Sequence, residues 1–297
     1  MPCYYPLTAW RSADLDDIKN GKHKLVFRAD LGFPGTKMQL ACGQCSGCRL
    51  DKARQWAIRC LHEASLHKDK CFLTLTYNPQ SLPPDGSLNV RDMQLFLKRL
   101  RKHYPDRTIR FFQCGEYGDL LNRPHHHCLL FGLDFADKLL LRGGKKNKLY
   151  ESKTLTSLWG LGHCSIGDVT FDSACYVARY VLKKFTGDKA DEYYQGRKPE
   201  YTTMSRRPGI GKLWYDKYKN DLYTDDKCVI SSTFIARPPK YYDNLYDLDN
   251  PQHLKQLKRK RSQRAKENQV SAERLQQMEE YQTLQQQKIP RPFEDHE

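Results

Sequence analysis

Residues 123–132 read RPHHHCLLFG: three consecutive histidines directly before a strongly apolar run. A folded core rarely holds that many imidazoles. In a strand, alternate side chains point to opposite faces, so His125 and His127 share one face and His126 takes the other. Two imidazoles about 7 Å apart on one face can converge on a metal ion if the strand twists and a third ligand arrives. Glu116, in QCGEYGD at the end of the preceding strand, is the nearest candidate, and a hairpin joining 108–115 to 125–131 would bring it close. Two neutral imidazoles and a carboxylate leave coordination positions open, which suits a divalent ion that must also hold a substrate oxygen. Ordinary hydrogen bonding at a strand end is the plain alternative. It accounts for a single histidine more easily than for a His-x-His pair beside an acid.

A second constellation lies in CYVARYVLKK, residues 175–184. Tyr176 and Tyr180 are four apart and stand on one face of a helix, with Lys183 and Lys184 three and four residues beyond Tyr180. Val177, Val181 and Leu182 would suffice for a core stripe, so two phenols backed by cations call for another reason. A free phenol, with a pKa of about 10, is a poor nucleophile at neutral pH. Nearby cations favour the phenolate, and a metal can stabilise charge developing on a phosphate. Tyr-x-x-x-Tyr-x-x-Lys is thus suited to attack on phosphorus, with Tyr176 or Tyr180 as nucleophile. Lys183, with Arg179 or Lys184, would steady phosphate charge. Taken alone, a partly buried amphipathic helix explains the spacing better.

A third group is Cys42, Cys45 and Cys48, in Cys-x-x-Cys-x-x-Cys. Thiolates at this spacing commonly wrap a zinc ion, and a fourth ligand is needed. Cys3 is the first choice, since it would tie an irregular N-terminus to the rest. Cys60 is the second, although its helical periodicity predicts a buried, small apolar side chain. Unligated thiols in a glycine-rich turn and an iron–sulfur cluster are the alternatives. The zinc is expected to be structural, with no part in the chemistry of the histidines.

The elements that carry these residues are legible in the pattern. Trp56, Cys60 and Ala64, with Ala53, Ala57 and Leu61 beside them, form one apolar stripe on a helix. CFLTLTY (71–77) reads as a buried strand, ended by the turn chemistry of NPQSLPPDGS. Asn89 is an N-cap for a helix over VRDMQLFLKRLRKHY, which stops before Pro105. TIRFFQC (108–114) and HHHCLLFG are strands joined by GEYGDLLNRP. A basic linker, RGGKKNK (142–148), leads to a short helix near 151–159, then to strand-like HCSIGDVTF (163–171) and a helix over 173–185. The order β-α-β-β-α-β predicts an α+β, ferredoxin-like fold: a mainly antiparallel central sheet with helices packed on one face. Residues 186–250 are rich in Tyr, Pro and Gly and show no clear pattern. Beyond Pro251 the chain reads as an exposed, partly helical tail, in which KQLKRKRSQRAK (255–266) has seven basic residues and no acid.

Composition narrows the partners. The net charge of +15 over 297 residues points to a polyanion, nucleic acid by default, and Lys258, Arg259, Lys260 and Arg261 of the tail are candidate DNA contacts. No apolar run is long enough to span a membrane. The start, MPCYYPLTAW, does not read as a secretory signal. Eleven cysteines, an odd number, argue against a disulfide scaffold and for a reducing cytosol.

A His-x-His strand followed some 50 residues later by a Tyr-bearing helix in a basic chain resembles the HUH (His-hydrophobic-His) endonucleases that start rolling-circle replication. MPCYYPLTAW, ACGQCSGCRLDKARQWAIRC, FLTLTYNP, RPHHHCLLFG and YVARYVLKK occur together in the order found in replication initiators of small single-stranded DNA phages of the gokushovirus type. The resemblance covers residues 1–185 closely and the rest loosely. It implies a five-stranded antiparallel sheet, Mg²⁺ or Mn²⁺, and strand-specific cleavage of viral origin DNA that is single-stranded at the cut. It also implies a 5′-phosphotyrosine link and a 3′-hydroxyl primer, a host polymerase and helicase, and the cytoplasm of a bacterial host. The sequence departs from the family pattern at the residue between the paired histidines, which is His126 rather than hydrophobic. The domains expected are a Cys-rich segment (1–60), an HUH core (61–190), a Tyr/Pro-rich extension (191–250) and a basic, Gln-rich tail (251–297). A non-catalytic, zinc-containing nucleic-acid-binding regulator is the competing function. A two-His-one-carboxylate iron oxygenase fits the ligand set but not the charge or the tyrosines.

Overall fold

The computed structural model describes residues 3–19, 22–118, 121–143, 148–180, 189–231 and 234–287. Its principal strands and helices begin with β1 (Leu7–Arg11), β2 (Leu25–Val26), β3 (Met38–Leu40) and α1 (Ser46–Ser65). Then come β4 (Lys70–Thr76), α2 (Val90–His103), β5 (Arg110–Tyr117), β6 (Pro124–Phe131), β7 (Leu139–Arg142), β8 (Leu149–Glu151), α3 (Lys153–Trp159), β9 (Cys164–Gly167) and α4 (Phe171–Tyr180). The last are α5 (Lys189–Tyr194), β10 (Tyr201–Met204), α6 (Lys212–Thr224), α7 (Lys240–Asp249), α8 (Pro251–Glu267) and α9 (Ala272–Gln287). Two compact units emerge, residues 1–52 with 264–289, and residues 53–263. In the first, β1 pairs antiparallel with both β2 and β3.

The second unit is built on a seven-stranded antiparallel sheet in the order β10-β5-β6-β4-β9-β8-β7. Its inner strands, β5-β6-β4-β9, with α2 joining β4 to β5 and α3 preceding β9, are the ferredoxin-like arrangement expected from the sequence. The five strands implied by family resemblance become seven. The β7–β8 hairpin extends one edge, and residues 144–147 of its connection, within the expected basic linker, lie outside the described residues.

Helices cover both faces of this sheet rather than one. The strands demand it, because β5 and β6 are buried almost throughout and cannot leave a face to water. On one face Leu73, Leu75, Cys128 and Leu130 meet α2 and α3. The α2 residues that fill this layer, Met93, Phe96, Leu97 and Leu100, follow the i, i+3, i+4, i+7 spacing of a single helical stripe. The Asn89 side chain caps the helix by accepting from Arg91 N–H, and Arg101, Lys102 and His103 meet the negative end of its dipole. On the other face Phe72, Phe112, Leu129 and Phe131 meet α1 and α4 through Ala57, Cys60, Ala64, Ala174 and Val177. The small residues on both helices let the backbones come close to the sheet. Each large apolar side chain so buried contributes roughly 1.5–3 kcal/mol.

Residues 186–250, patternless in sequence, supply α5, α6, α7 and β10. A third apolar cluster joins Tyr215, Tyr223, Tyr242 and Tyr246 to Leu254 and Leu257 of α8. The tail is helical as expected, but its first half is not simply exposed. Arg261 reaches into this layer, with Nε 2.8 Å from Asp226 Oδ2 and Nη1 2.6 Å from Asp243 Oδ2. The Asp243 carboxylate also accepts from the Tyr223 hydroxyl. Among the described residues no helix is long and apolar enough to cross a membrane.

Replacing Arg261 with Ala would strand two largely buried carboxylates. The expected loss is about 3 kcal/mol of stability, read as a lower urea midpoint with an unchanged slope.

Candidate active site

The antiparallel register of β5 and β6 sets Glu116 directly opposite His125 and Cys114 opposite His127. Cross-strand partners and residues two apart share a face. One carboxylate and two imidazoles therefore converge on the face covered by α1 and α4. Glu116 Oε1 lies 3.1 Å from His125 Nε2 and 2.7 Å from His127 Nε2. All three residues are buried, and their ligand atoms all lie within 4.8 Å of one another.

The far sides of both rings are anchored. His125 Nδ1 is 3.2 Å from the Arg123 carbonyl, and His127 Nδ1 is 3.0 Å from Thr74 Oγ1 on β4. An imidazole held through Nδ1 presents Nε2 to an ion, which is the usual outer-sphere arrangement of a metal-binding histidine. Burial acts to raise the Glu116 carboxyl, but the two imidazoles outweigh it and hold the group below the ordinary carboxylate range. Its Oε2 is buried with no hydrogen-bond partner among the described residues. Adjacent oxygen and nitrogen ligands of an octahedral ion with bonds near 2.1 Å stand about 3 Å apart. The observed spacings fit that, and the donor set of two nitrogens and a carboxylate leaves coordination positions over.

His126 faces the opposite way, as strand alternation requires, and so does not compete with this set. It is fully buried, with Nε2 3.0 Å from the Tyr77 hydroxyl and Nδ1 3.2 Å from the Tyr201 hydroxyl. Burial, then the nearby His125 and His127, lowers its pKa to about 3, so it stays neutral.

The helix that bears the tyrosines is started by a reciprocal cap. Thr170 Oγ1 accepts from Ser173 N–H at 3.1 Å, and Ser173 Oγ accepts from Thr170 N–H at 2.8 Å. Tyr176 then falls on the sheet side of α4. Its ring stands edge-on to that of His127, with centroids 5.0 Å apart, and edge-on to Phe72 at 6.4 Å. Tyr180 closes α4 one turn later. Its side chain and that of Arg179 lie outside the described residues, as do Lys183 and Lys184 altogether.

Of the other sequence candidates, Lys258, Arg259 and Lys260 are exposed on α8, with Lys258 3.4 Å from Asp247. Arg261 is engaged with Asp226 and Asp243. Cys3, Cys42, Cys45 and Cys48 form a second potential metal-binding group. Burial pushes the Cys42 thiol up, but backbone N–H groups of Cys45 and Gln44 outweigh it and bring it down to about 7. Cys60 is instead packed in the core with Ala57 and Ala64. Sequence reasoning missed Thr74. Its signal was a lone hydroxyl in the otherwise apolar run CFLTL, on the same strand face as Phe72.

The family model for the replication-associated protein ORF2/G2P matches residues 70–185, from the start of β4 through α4. The chain is 32% identical to replication-associated protein VP4 of Bdellovibrio phage phiMH2K over 292 residues, 95% of this chain and 88% of the relative. The chain belongs to the replication-associated proteins of small single-stranded DNA phages. Further members of this family that it resembles are ORF2 of Spiroplasma virus 4, 33% identical over 76% of this chain and 73% of that one, and ORF4 of Chlamydia phage 1, 32% identical over 69% and 53%. No solved structure matches. The family match contains the whole histidine–glutamate site and both tyrosines.

Thr74→Val removes the anchor of one imidazole without changing the size of the side chain much. Manganese affinity, followed by electron paramagnetic resonance, should fall about 10–100-fold, the usual effect of losing an outer-sphere partner.

Proposed function

We propose that this chain initiates phage DNA replication as a metal-dependent nicking and joining enzyme. The reading rests on one observation: the Tyr176 ring packs against His127, on the sheet face that carries Glu116, His125 and His127. A nucleophile-bearing helix against an open N,N,O donor set serves phosphoryl transfer, whereas a passive DNA-binding regulator has no use for it. Membership of a family named for replication supports the same reading, and the +15 charge supports a DNA partner.

In this mechanism Tyr176 or Tyr180 attacks one phosphodiester of origin DNA, single-stranded at the cut. The tyrosine Oη–P bond forms and the P–O3′ bond breaks. The phenol gives up its proton, and the departing O3′ takes one up to become a 3′-hydroxyl. The 5′ end remains as a phosphotyrosine. His125, His127 and Glu116 would hold a divalent ion, Mg²⁺ or Mn²⁺, which would supply Lewis-acid polarisation of the scissile phosphate. Lys183, Arg179 and Lys184 offset the charge on phosphate oxygens. A host polymerase extends the 3′ end while a host helicase opens the duplex, in the bacterial cytoplasm. After one round the second tyrosine cleaves the regenerated junction. The new 3′-hydroxyl then attacks the first phosphotyrosine and closes a single-stranded circle. Each step exchanges one phosphodiester for another, so no external energy source is needed. The same reading assigns structural Zn²⁺ to Cys3, Cys42, Cys45 and Cys48, and surface DNA contacts to Lys258, Arg259 and Lys260.

Tyr176→Phe combined with Tyr180→Phe should abolish the covalent adduct with labelled origin oligonucleotide on a denaturing gel while binding persists in a mobility shift. Adduct formation by the double variant would remove the tyrosines from the mechanism. His127→Ala should reduce nicking of supercoiled phage DNA by more than the roughly 10–100-fold expected for an outer-sphere loss. Equal falls in nicking and in binding would point instead to a structural histidine.

A further inference from the structure

The described residues of the first unit bury less than small folded units need. Among described residues 3–45, the buried apolar side chains are those of Tyr4, Ala9 and Cys45. Leu7, Leu15, Phe27, Leu31 and Phe33 are exposed, and none of residues 272–285 in α9 is buried. Strands β2 and β3 are two and three residues long, too short to hold a sheet by backbone bonding alone. Units with so little core are ordinarily stapled by disulfides or metals.

The staple on offer is the cysteine cluster, and its atoms are arranged for one ion. Cys42 and Cys48 Sγ are 4.0 Å apart, as are Cys45 and Cys3 Sγ, and all four lie within 4.8 Å of one another. Tetrahedral zinc with Zn–S near 2.3 Å places its sulfurs about 3.8 Å apart. A disulfide needs about 2.05 Å, and all four cysteines are thiols. A cluster of several irons, with each sulfur on its own iron, would spread the sulfurs further. Backbone amides already point at them: Cys42 N–H donates to Cys3 Sγ at 3.2 Å, Cys45 N–H to Cys42 Sγ at 3.3 Å and Tyr4 N–H to Cys45 Sγ at 3.4 Å. Such bonds favour thiolate over thiol. Gly43, at φ +76°, turns the chain between Cys42 and Cys45 in a conformation that a side chain would resist.

We infer that zinc bound by Cys3, Cys42, Cys45 and Cys48 replaces the missing core, so that residues 3–48 fold only with the ion in place. Joining Cys3 to Cys42 closes the loop that contains all of β1, β2 and β3, and Cys48 fixes the same ion to the first turn of α1. Removing the ion leaves the exposed leucines and phenylalanines nothing to hold them in register. The inference rests on the zinc assignment made above and not on the nicking reaction.

Full-length protein, purified without added metal, should carry one zinc per chain in native mass spectrometry. Cobalt substitution should give the visible absorption of a tetrathiolate. After chelation, hydrogen exchange in residues 7–11 and 38–40 should accelerate at least about 100-fold while residues 124–131 of β6 keep their protection. Cys3→Ser should lose zinc and show the same local acceleration. One zinc per chain with protection unchanged after chelation would overturn the folding role and leave the zinc assignment standing. Iron in place of zinc, or a metal-free protein with residues 7–11 protected, would overturn both. Neither result bears on the nicking mechanism, since no readout uses DNA.

Discussion

The pleat of one strand is the constraint on which the rest depends. His125, His126 and His127 are consecutive, and only alternation decides which two converge on Glu116. A slip of one residue between β5 and β6 would send the outer pair to the opposite face and bring His126 round in their place. The register must therefore be pinned from both sides of the sheet. On the face of Glu116, His125 and His127, Thr74 and Phe72 of β4 flank His127, with hydrogen bond and stacked ring respectively. On the other, His126 is held by two hydroxyls and lies edge-on to Trp159.

That second anchor has a direction. The Tyr77 hydroxyl donates its only proton to Asp92 Oδ2 at 2.8 Å, so toward His126 it can only accept. His126 therefore carries its proton on Nε2, and its Nδ1 accepts from Tyr201. A polarised chain, Tyr201 to His126 to Tyr77 to Asp92, crosses from β10 through β6 and the residue just after β4 to α2. Protonating His126 would remove the acceptor that Tyr201 needs, and burial already opposes that charge. The HUH pattern that the sequence resembles has a hydrophobic residue here. This chain reaches the same end, a strand locked to its neighbours, with a neutral imidazole whose hydrogen bonds are satisfied.

Much of this was legible in the sequence where a single period governed the residues. The α2 stripe and the pairing of His125 with His127 follow from spacing; Glu116 follows from the expected hairpin, and Cys3 is preferred to Cys60 because it would tie down the N-terminus. The covering of both sheet faces was less visible, because CFLTLTY and HHHCLLFG are buried on both sides and carry no polar alternation to reveal it. Residues 186–250 were opaque for another reason. Their core is made of tyrosines, and a tyrosine counts as neither polar nor apolar in a periodicity argument. Tyr223 stacks on Tyr246 with centroids 3.8 Å apart while its hydroxyl bonds to Asp243. Ring burial and hydroxyl satisfaction together make such a layer, and only tertiary contact displays both. The basic tail misled in the same way. Arg261 looked identical to its neighbours in KRKR until the acids it meets, distant in sequence, came into view.

Charge follows a related logic. Arg110 and Arg261 are paired inside the fold with Glu63, Asp226 and Asp243, and Arg59 lies between the rings of Trp56 and Tyr241. Internal pairs cancel and leave the +15 excess for the outside, where a polyanion can use it. The two donor groups divide by chemistry as well. Four soft thiolates saturate a tetrahedral ion and leave it no position for a substrate, so such an ion can only hold chain. Two imidazoles and one hard carboxylate leave vacancies and suit an ion that exchanges oxygen ligands. Imidazole and carboxylate also bind zinc, so the contrast between the two sets lies in open against saturated coordination. The two donor groups therefore suit different tasks, the saturated one architecture and the open one the exchange of oxygen ligands.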